Sequence, residues 1–219
     1  MFRSGVPFPR KAVLLAILFS FFATLLAAQE VKTSFNWAFV KRQADGSTSP
    51  IDFRERVNIV PGELFKIHIQ PLQNAFVYLF LYDASDDLQL LFPQSFGLLD
   101  STTYANKRYF IPEGDNWFTL DSNRGTERFY LIASAERLRP LELLVTSYTR
   151  AAASSKSAAK QAVLDEIARI RREHSQLTVI AEKPVTIAGG TRGINADVER
   201  LATRIEAPGF YYKLFRLEH

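Results

Sequence analysis

From Val31 to about Ser134 the chain alternates apolar and polar residues with a period of two, a pattern that strands satisfy and helices do not. Phe35, Trp37 and Phe39 alternate with Asn36 and Ala38, which predicts a strand with one buried face. Phe65, Ile67 and Ile69 alternate with Lys66, His68 and Gln70, the cleanest half-exposed strand in the chain. Phe76 to Tyr82 is apolar on both faces, as in a strand buried on both sides. The polar turn Asp83 to Asp87 and the run Leu88 to Phe92 complete a hairpin over 76–92. Pro93 to Asn116 carries Pro93, Gly97, Pro112 and Gly114 and predicts a long loop with one short strand near Tyr109. Trp117–Leu120 and Phe129–Ala133 are two further strands around the turn Asp121–Thr126. Short strands at this spacing predict an antiparallel sandwich or barrel.

The period changes at Pro140. Leu141, Leu144, Val145 and Tyr148 share one helical face, and a proline in the first turn leaves no donor unpaired. Ala151 to Ala159 is small and flexible in composition. A second helix follows with Val163, Ile167 and Ile170 inward and Asp165–Arg169 as a supporting pair. Asn195 predicts the cap of a third helix, with Val198, Leu201 and Ile205 facing in, ended by Pro208-Gly209. Phe210 to Leu217 predicts a last strand that returns to the sheet. The expected fold is mainly β with appended helices. It is an antiparallel β-sandwich over 29–219, with two or three helices inserted at about 140–206, before the last strand.

Residues 1–11 are polar and basic, Ala12 to Ala28 carries no formal charge, and Gln29-Glu30 restores polarity. This order predicts a signal peptide cut after Ala28. The bulky Leu26, three residues before that cut, and the 17-residue length of the run leave an uncleaved inner-membrane anchor over 12–28 as the alternative. Basic residues precede the apolar run, so both readings place residues 30–219 outside the cytoplasm, periplasmic or secreted. With no cysteine, disulfides, thiolate metal sites and lipoprotein acylation are excluded. The net charge of +4 owes three units to the first 28 residues, and the remainder holds 24 basic and 23 acidic residues. No nucleic-acid partner is expected from that balance.

A set of segments resembles a known family. Pro61-Gly62-Glu63 precedes a strand, and Phe76-Val77-Tyr78-Leu79-Phe80 is followed by an acidic turn. Leu90-Leu91-Phe92-Pro93, Ile111-Pro112 and Phe129-Tyr130-Leu131-Ile132-Ala133-Ser134 complete the order. Over about residues 55–150 the chain is similar to the uncharacterised bacterial family named domain of unknown function 4384. Glu63 and Gln94 stand where that family commonly has Asp and Asn. The resemblance implies a β-rich exported domain and hints at an accessory binding role. It transfers no catalytic residue.

Chemistry-bearing residues are sparse. His68, His174 and His219 share no ligand spacing, so no metal and no cofactor are expected. His68, alternating with Phe and Ile, is expected to face solvent. Ser95 lies in no Gly-x-Ser-x-Gly elbow. Gly189-Gly190-Thr191-Arg192-Gly193 offers an anion loop with Arg192 as its charge, against a plain turn needing positive φ. Asp83, Asp86 and Asp87 offer weak calcium binding, against a solvated turn. Tyr104, Tyr109, Phe110 and Trp117, beside Lys107 and Arg108, flank the irregular loop. As a peptide or glycan surface the candidates are Tyr104, Arg108, Tyr109 and Trp117, with Arg192 added; burial as a plug at one end of the sandwich is the competing reading. Lys156, Lys160, Arg169, Arg171 and Arg172 give 141–175 local positive charge, for an anionic partner or as a solvated helix face.

The expected function is an exported, non-enzymatic binding or scaffolding module of the bacterial cell envelope with a protein partner there. Membrane contact is expected only if the N-terminal segment stays uncleaved. Alternatives are an envelope hydrolase of peptide or glycan bonds, needing Asp83, Glu113 or Asp115 to converge, and a membrane-anchored subunit of a larger assembly.

Overall fold

Eleven residues, Lys32–Arg42, form the strand β1 around which the first sheet assembles. Along the chain follow β2 (Thr48–Pro50), β3 (Val57–Asn58), β4 (Leu64–Pro71), β5 (Phe76–Tyr82) and β6 (Leu88–Phe92). After a 3-10 turn at Phe96–Asp100 come β7 (Tyr109–Ile111), β8 (Phe118–Thr119) and β9 (Thr126–Ser134). Two helices, α1 (Arg139–Arg150) and α2 (Ala153–Glu173), precede β10 (Ala181–Pro184), β11 (Thr203–Pro208) and β12 (Phe210–Glu218). The computed structural model describes residues 31–53, 57–58, 60, 62–119, 125–175, 181–185 and 198–218. Val31–His219 is a single compact unit. The signal or anchor segment at 1–28, the loop bearing Arg192, the Asn195 cap and His219 lie outside the described residues.

The strands form two sheets. The first has the order β10-β11-β1-β4-β7, with β2 on β1 and β8 on β4; the second runs β3-β12-β9-β5-β6. All pairs are antiparallel except β3 with β12. The fold is the mainly β sandwich with appended helices that the alternation predicts. Its interior is aromatic. Phe39 of the first sheet meets Phe129 and Phe215 of the second at ring centroids of 5.2 and 5.0 Å, and Phe35 meets Tyr211 edge-on at 5.3 Å. Such contacts add to simple area burial. They suit a chain that has no disulfide to hold it.

Four local expectations are corrected. Asn36, Ala38, Lys66 and His68 are buried, so β1 and β4 are covered on both faces. The reason is a second, smaller cluster on the outer face: Ala38 and Val40 pack with Val198 and Ala202, flanked by Phe110 and Trp117. Alternation reports which residues face the main core, but it is blind to a loop that folds over the polar face. The stretch Ala151 to Ala159 is no flexible link; α2 begins at Ala153, in keeping with the high helix propensity of alanine. Within α2, Arg169 pairs with Glu166 and Glu173, while Asp165 accepts from Gln161. The third helix is confined, among the described residues, to 198–200, and Ile205 lies in β11. Leu201 and Ile205 fit a helical spacing, but Ile205 and Ala207 also fit a strand, and pairing with β1 decides between them. Gly209, at φ +72°, makes the tight turn from β11 into β12.

The outer face of the second sheet receives the two helices. Tyr78 of β5 bonds to α1, and Phe210 of β12 stacks on His174 at 4.1 Å. Leu141, Val145 and Tyr148 of α1 and Val163, Ile167 and Ile170 of α2 are buried. No helix among the described residues is long and apolar enough to cross a membrane.

Candidate functional cleft beside the first helix

The sequence candidates separate into two kinds. Tyr104 and Tyr109 are buried among the core rings, with Phe92 at 6.2 and 4.9 Å. The Tyr104 hydroxyl accepts the Val77 N–H at 2.9 Å, and burial raises the pKa of its phenol. The Tyr109 O–H donates to the Tyr104 carbonyl at 3.4 Å. These rings anchor the long loop to β5. Arg108 is about half exposed and pairs with the buried Glu199 at 3.2 Å. Trp117 lies on the outer face, 5.5 Å from the Lys66 ammonium and 5.9 Å from the Arg42 guanidinium, both within cation–π range. The four residues therefore do not share one surface. Arg192 lies outside the described residues.

Beneath that loop is a polar layer that alternation placed in solvent. His68 is buried, stacks on Phe110 at 4.9 Å and lies 3.2 Å from the Tyr109 carbonyl through Nδ1. Burial, aided by the nearby Arg108 charge, lowers its pKa to about 4, so the ring is neutral at ordinary pH. Lys66 donates to the Gly114 carbonyl; burial lowers its pKa, and Asp115 opposes that shift. Asn36 donates to Gln70 at 2.8 Å and accepts from Arg204 at 3.2 Å. These bonds secure the cover over β1 and β4.

The acidic hairpin turn is likewise engaged. Asp83 accepts the Asp87 N–H at 2.8 Å. Asp86 holds Lys160 and Tyr82, and Asp87 holds Tyr148 at 2.8 Å and Lys156 at 3.5 Å. The turn is a clamp for the helices and is not simply solvated. Of the five helix cations, Lys156, Lys160 and Arg169 are consumed by these and the intrahelical pairs, while Arg171 lies over the Tyr212 ring. No group of three His, Asp or Glu suited to a metal occurs among the described residues.

Among the described residues lies a concave site, and the residues lining it were not candidates from the sequence. A cleft of about 330 Å3 lies between the 3-10 turn and α1, lined by Phe96, Gly97, Asp100, Arg137, Arg139, Glu142, Leu143 and Thr146. Its floor is a charged network. Arg137 Nε donates to Glu142 Oε1 at 2.8 Å, its Nη2 reaches Glu142 Oε2 and the Phe96 carbonyl, and its Nη1 reaches Asp100. The Tyr78 O–H donates to Glu142 Oε1 at 2.7 Å and accepts the Leu138 N–H at 3.1 Å. Burial, then the bond to Glu142, pushes the Tyr78 phenol up, and the Arg137 bond holds the Asp100 carboxyl below the usual range. The side chains of Arg137 and Glu142 are only 8% and 6% exposed. Above this floor stand Leu143, 69% exposed, and Arg139, whose side chain is 64% exposed. Arg139 approaches Asp100 and Glu142 only at 3.8 and 4.0 Å, beyond hydrogen-bond distance. The available sequence signal was Leu143, a large apolar residue outside the 141/144/145/148 stripe of its helix.

Residues 59–137 match the family model described as a domain of unknown function, number 4384. The matched span runs through β4 to β9 and includes the 3-10 turn and Arg137. No curated protein and no solved structure matches the chain.

Proposed function

We propose that this chain is an exported, non-enzymatic binding or scaffolding module of the bacterial cell envelope that engages a protein partner. The observation that carries the binding role is the contrast between its reactive side chains and its cleft. Asp83, Asp86, Asp87, Glu142, His68 and His174 are each held in bonds that secure the fold. The cleft beside α1 instead presents an exposed leucine and a loosely held arginine on a firmly bonded floor. Binding sites on rigid elements need little reordering to engage a partner. Export rests on the order of basic residues, the apolar run Ala12–Ala28 and the polar restart at Gln29.

Two measurements test this reading. Intact mass in the soluble and membrane fractions of the envelope is expected to give a chain starting at Gln29 in the soluble fraction. Full-length mass in the membrane fraction supports the anchored-subunit alternative, and recovery only from cytoplasm overturns export. A pull-down from envelope extracts is expected to recover a reproducible partner; repeated recovery of none overturns the binding role.

A further inference from the structure

We propose that the cleft between the 3-10 turn and α1 docks an extended segment of a protein partner that presents a carboxylate beside a large apolar side chain. This deepens the binding reading above and rests on it. A lone exposed leucine is ordinary on a protein surface. Leu143 differs because it stands in a concavity with the half-buried ring of Phe96. One on each wall, they present apolar surfaces that an incoming aliphatic or aromatic side chain would bridge.

The polar half of the site is Arg139. Its neighbours Asp100 and Glu142 lie too far away for hydrogen bonds. Glu142 is already engaged by Arg137 and Tyr78 and has little capacity left for a second arginine. Asp100 is committed to Arg137 through Oδ1. The guanidinium of Arg139 is thus a planar donor fork held only by long ion pairs to Asp100 and Glu142, with no hydrogen bond to either, and its best-matched ligand is a carboxylate. Asp100 is the internal competitor for it.

The occupant is a segment of a larger molecule because the site is open. Asp100 and Arg139, on opposite walls, are both more than half exposed. A small ligand would be only partly enclosed there, whereas a polypeptide gains contact on both sides of the cleft. Arg137 fixes the two walls by joining Asp100 and the Phe96 carbonyl on the turn to Glu142 on the helix. A charge pair this buried is expensive to desolvate and brings little net stability. Its use here is to hold a recognition surface in one geometry.

The test is an array of short peptides in a Gly/Ser frame that carries all pairs of side chains at close spacing, probed with the labelled full chain. Wild type is expected to favour peptides that join Asp or Glu to Leu, Ile, Phe or Met. Arg139→Gln lowers that signal by at least about tenfold, the loss expected for a charge-assisted bond. Arg139→Glu transfers the preference to peptides with Lys or Arg, a reversal that mere damage cannot produce. Leu143→Ser keeps the acid preference and loses the apolar one, and Asp100→Asn strengthens acidic binding by removing the competitor. Absence of an acid preference, or its survival in Arg139→Glu, overturns the proposal. If the envelope pull-down recovers a partner equally with wild type and with Arg139→Glu, the cleft assignment fails while the binding role stands. If wild type recovers none, the binding role itself fails.

Discussion

At the scale of single residues, burial has turned two ordinary polar side chains into structural commitments. His68 is neutral in the fold with a pKa of about 4, against about 6.5 in an unfolded chain. Between those values the unfolded chain binds the proton and the folded one does not, so stability falls as pH drops through 6.5 toward 4. Urea midpoints should show a loss of about 2 kcal/mol between about pH 7.5 and about pH 5, and His68→Gln should remove that slope. Asp86, Asp87, Asp100 and Glu166 have lowered pKa values and act in the same direction, but only below the ordinary carboxylate range. The second commitment is Glu142. Glu142→Gln leaves Arg137 buried without its main counter-charge and should cost about 3 kcal/mol by denaturant unfolding. The double replacement Arg137→Met with Glu142→Leu should cost much less, because the charges and their desolvation vanish together. Neither residue was marked by the sequence, where they read as two of many charges near a helix start.

At the scale of elements, the helices are held by side chains that look like surface decoration in sequence. Lys160 sits at a position a solvated helix face would assign to water, yet it is buried against Asp86 and 5.5 Å from the Tyr82 ring. Lys160→Ala should lower the melting temperature, since the Asp86 carboxylate and carbonyl lose a donor and the buried lysine stem loses its packing. Faster amide exchange in α2 than in β9 would locate the damage. Gly209→Ala tests the β11–β12 turn: an αL position costs a non-glycine residue about 1–2 kcal/mol, read as a lower melting temperature. The elements legible in advance were those whose apolar run or period is contained within one segment: the 76–92 hairpin, β9, α1 and β12. The misread ones were segments whose neighbours are distant in sequence. β4 shows its polar residues to the 105–118 loop, β1 turns Ala38 and Val40 to Val198 and Ala202, and β11 is a strand because β1 lies beside it. The cleft shares that cause, since its walls come from residues 96–100 and 137–146. Period and composition describe a segment, whereas these features are properties of pairs.

At the scale of the whole molecule, the second sheet lies between the aromatic interior and the helices. Neither layer can loosen without exposing it. The two tryptophans, Trp37 in the interior and Trp117 on the far face of the first sheet, report the sandwich, while helical circular dichroism reports α1 and α2. Their thermal or urea transitions should coincide, as expected for one cooperative unit. A helical transition that precedes the tryptophan change would show instead that the helical layer is a separate cooperative unit.

The order of the strands also sets a schedule for synthesis. β1 is flanked by β11, and β9 by β12, so strands made early wait for residues 203–218. A nascent chain that has emerged through β9 still lacks a neighbour on one side of each sheet. Its hydrophobic rings remain uncovered until β11 and β12 are available to pair. The decisive pairings therefore form late and, being this remote in sequence, slowly compared with a local hairpin. Any factor that must hold the unpaired strands open has the whole interval between the making of β1 and of β12 in which to bind.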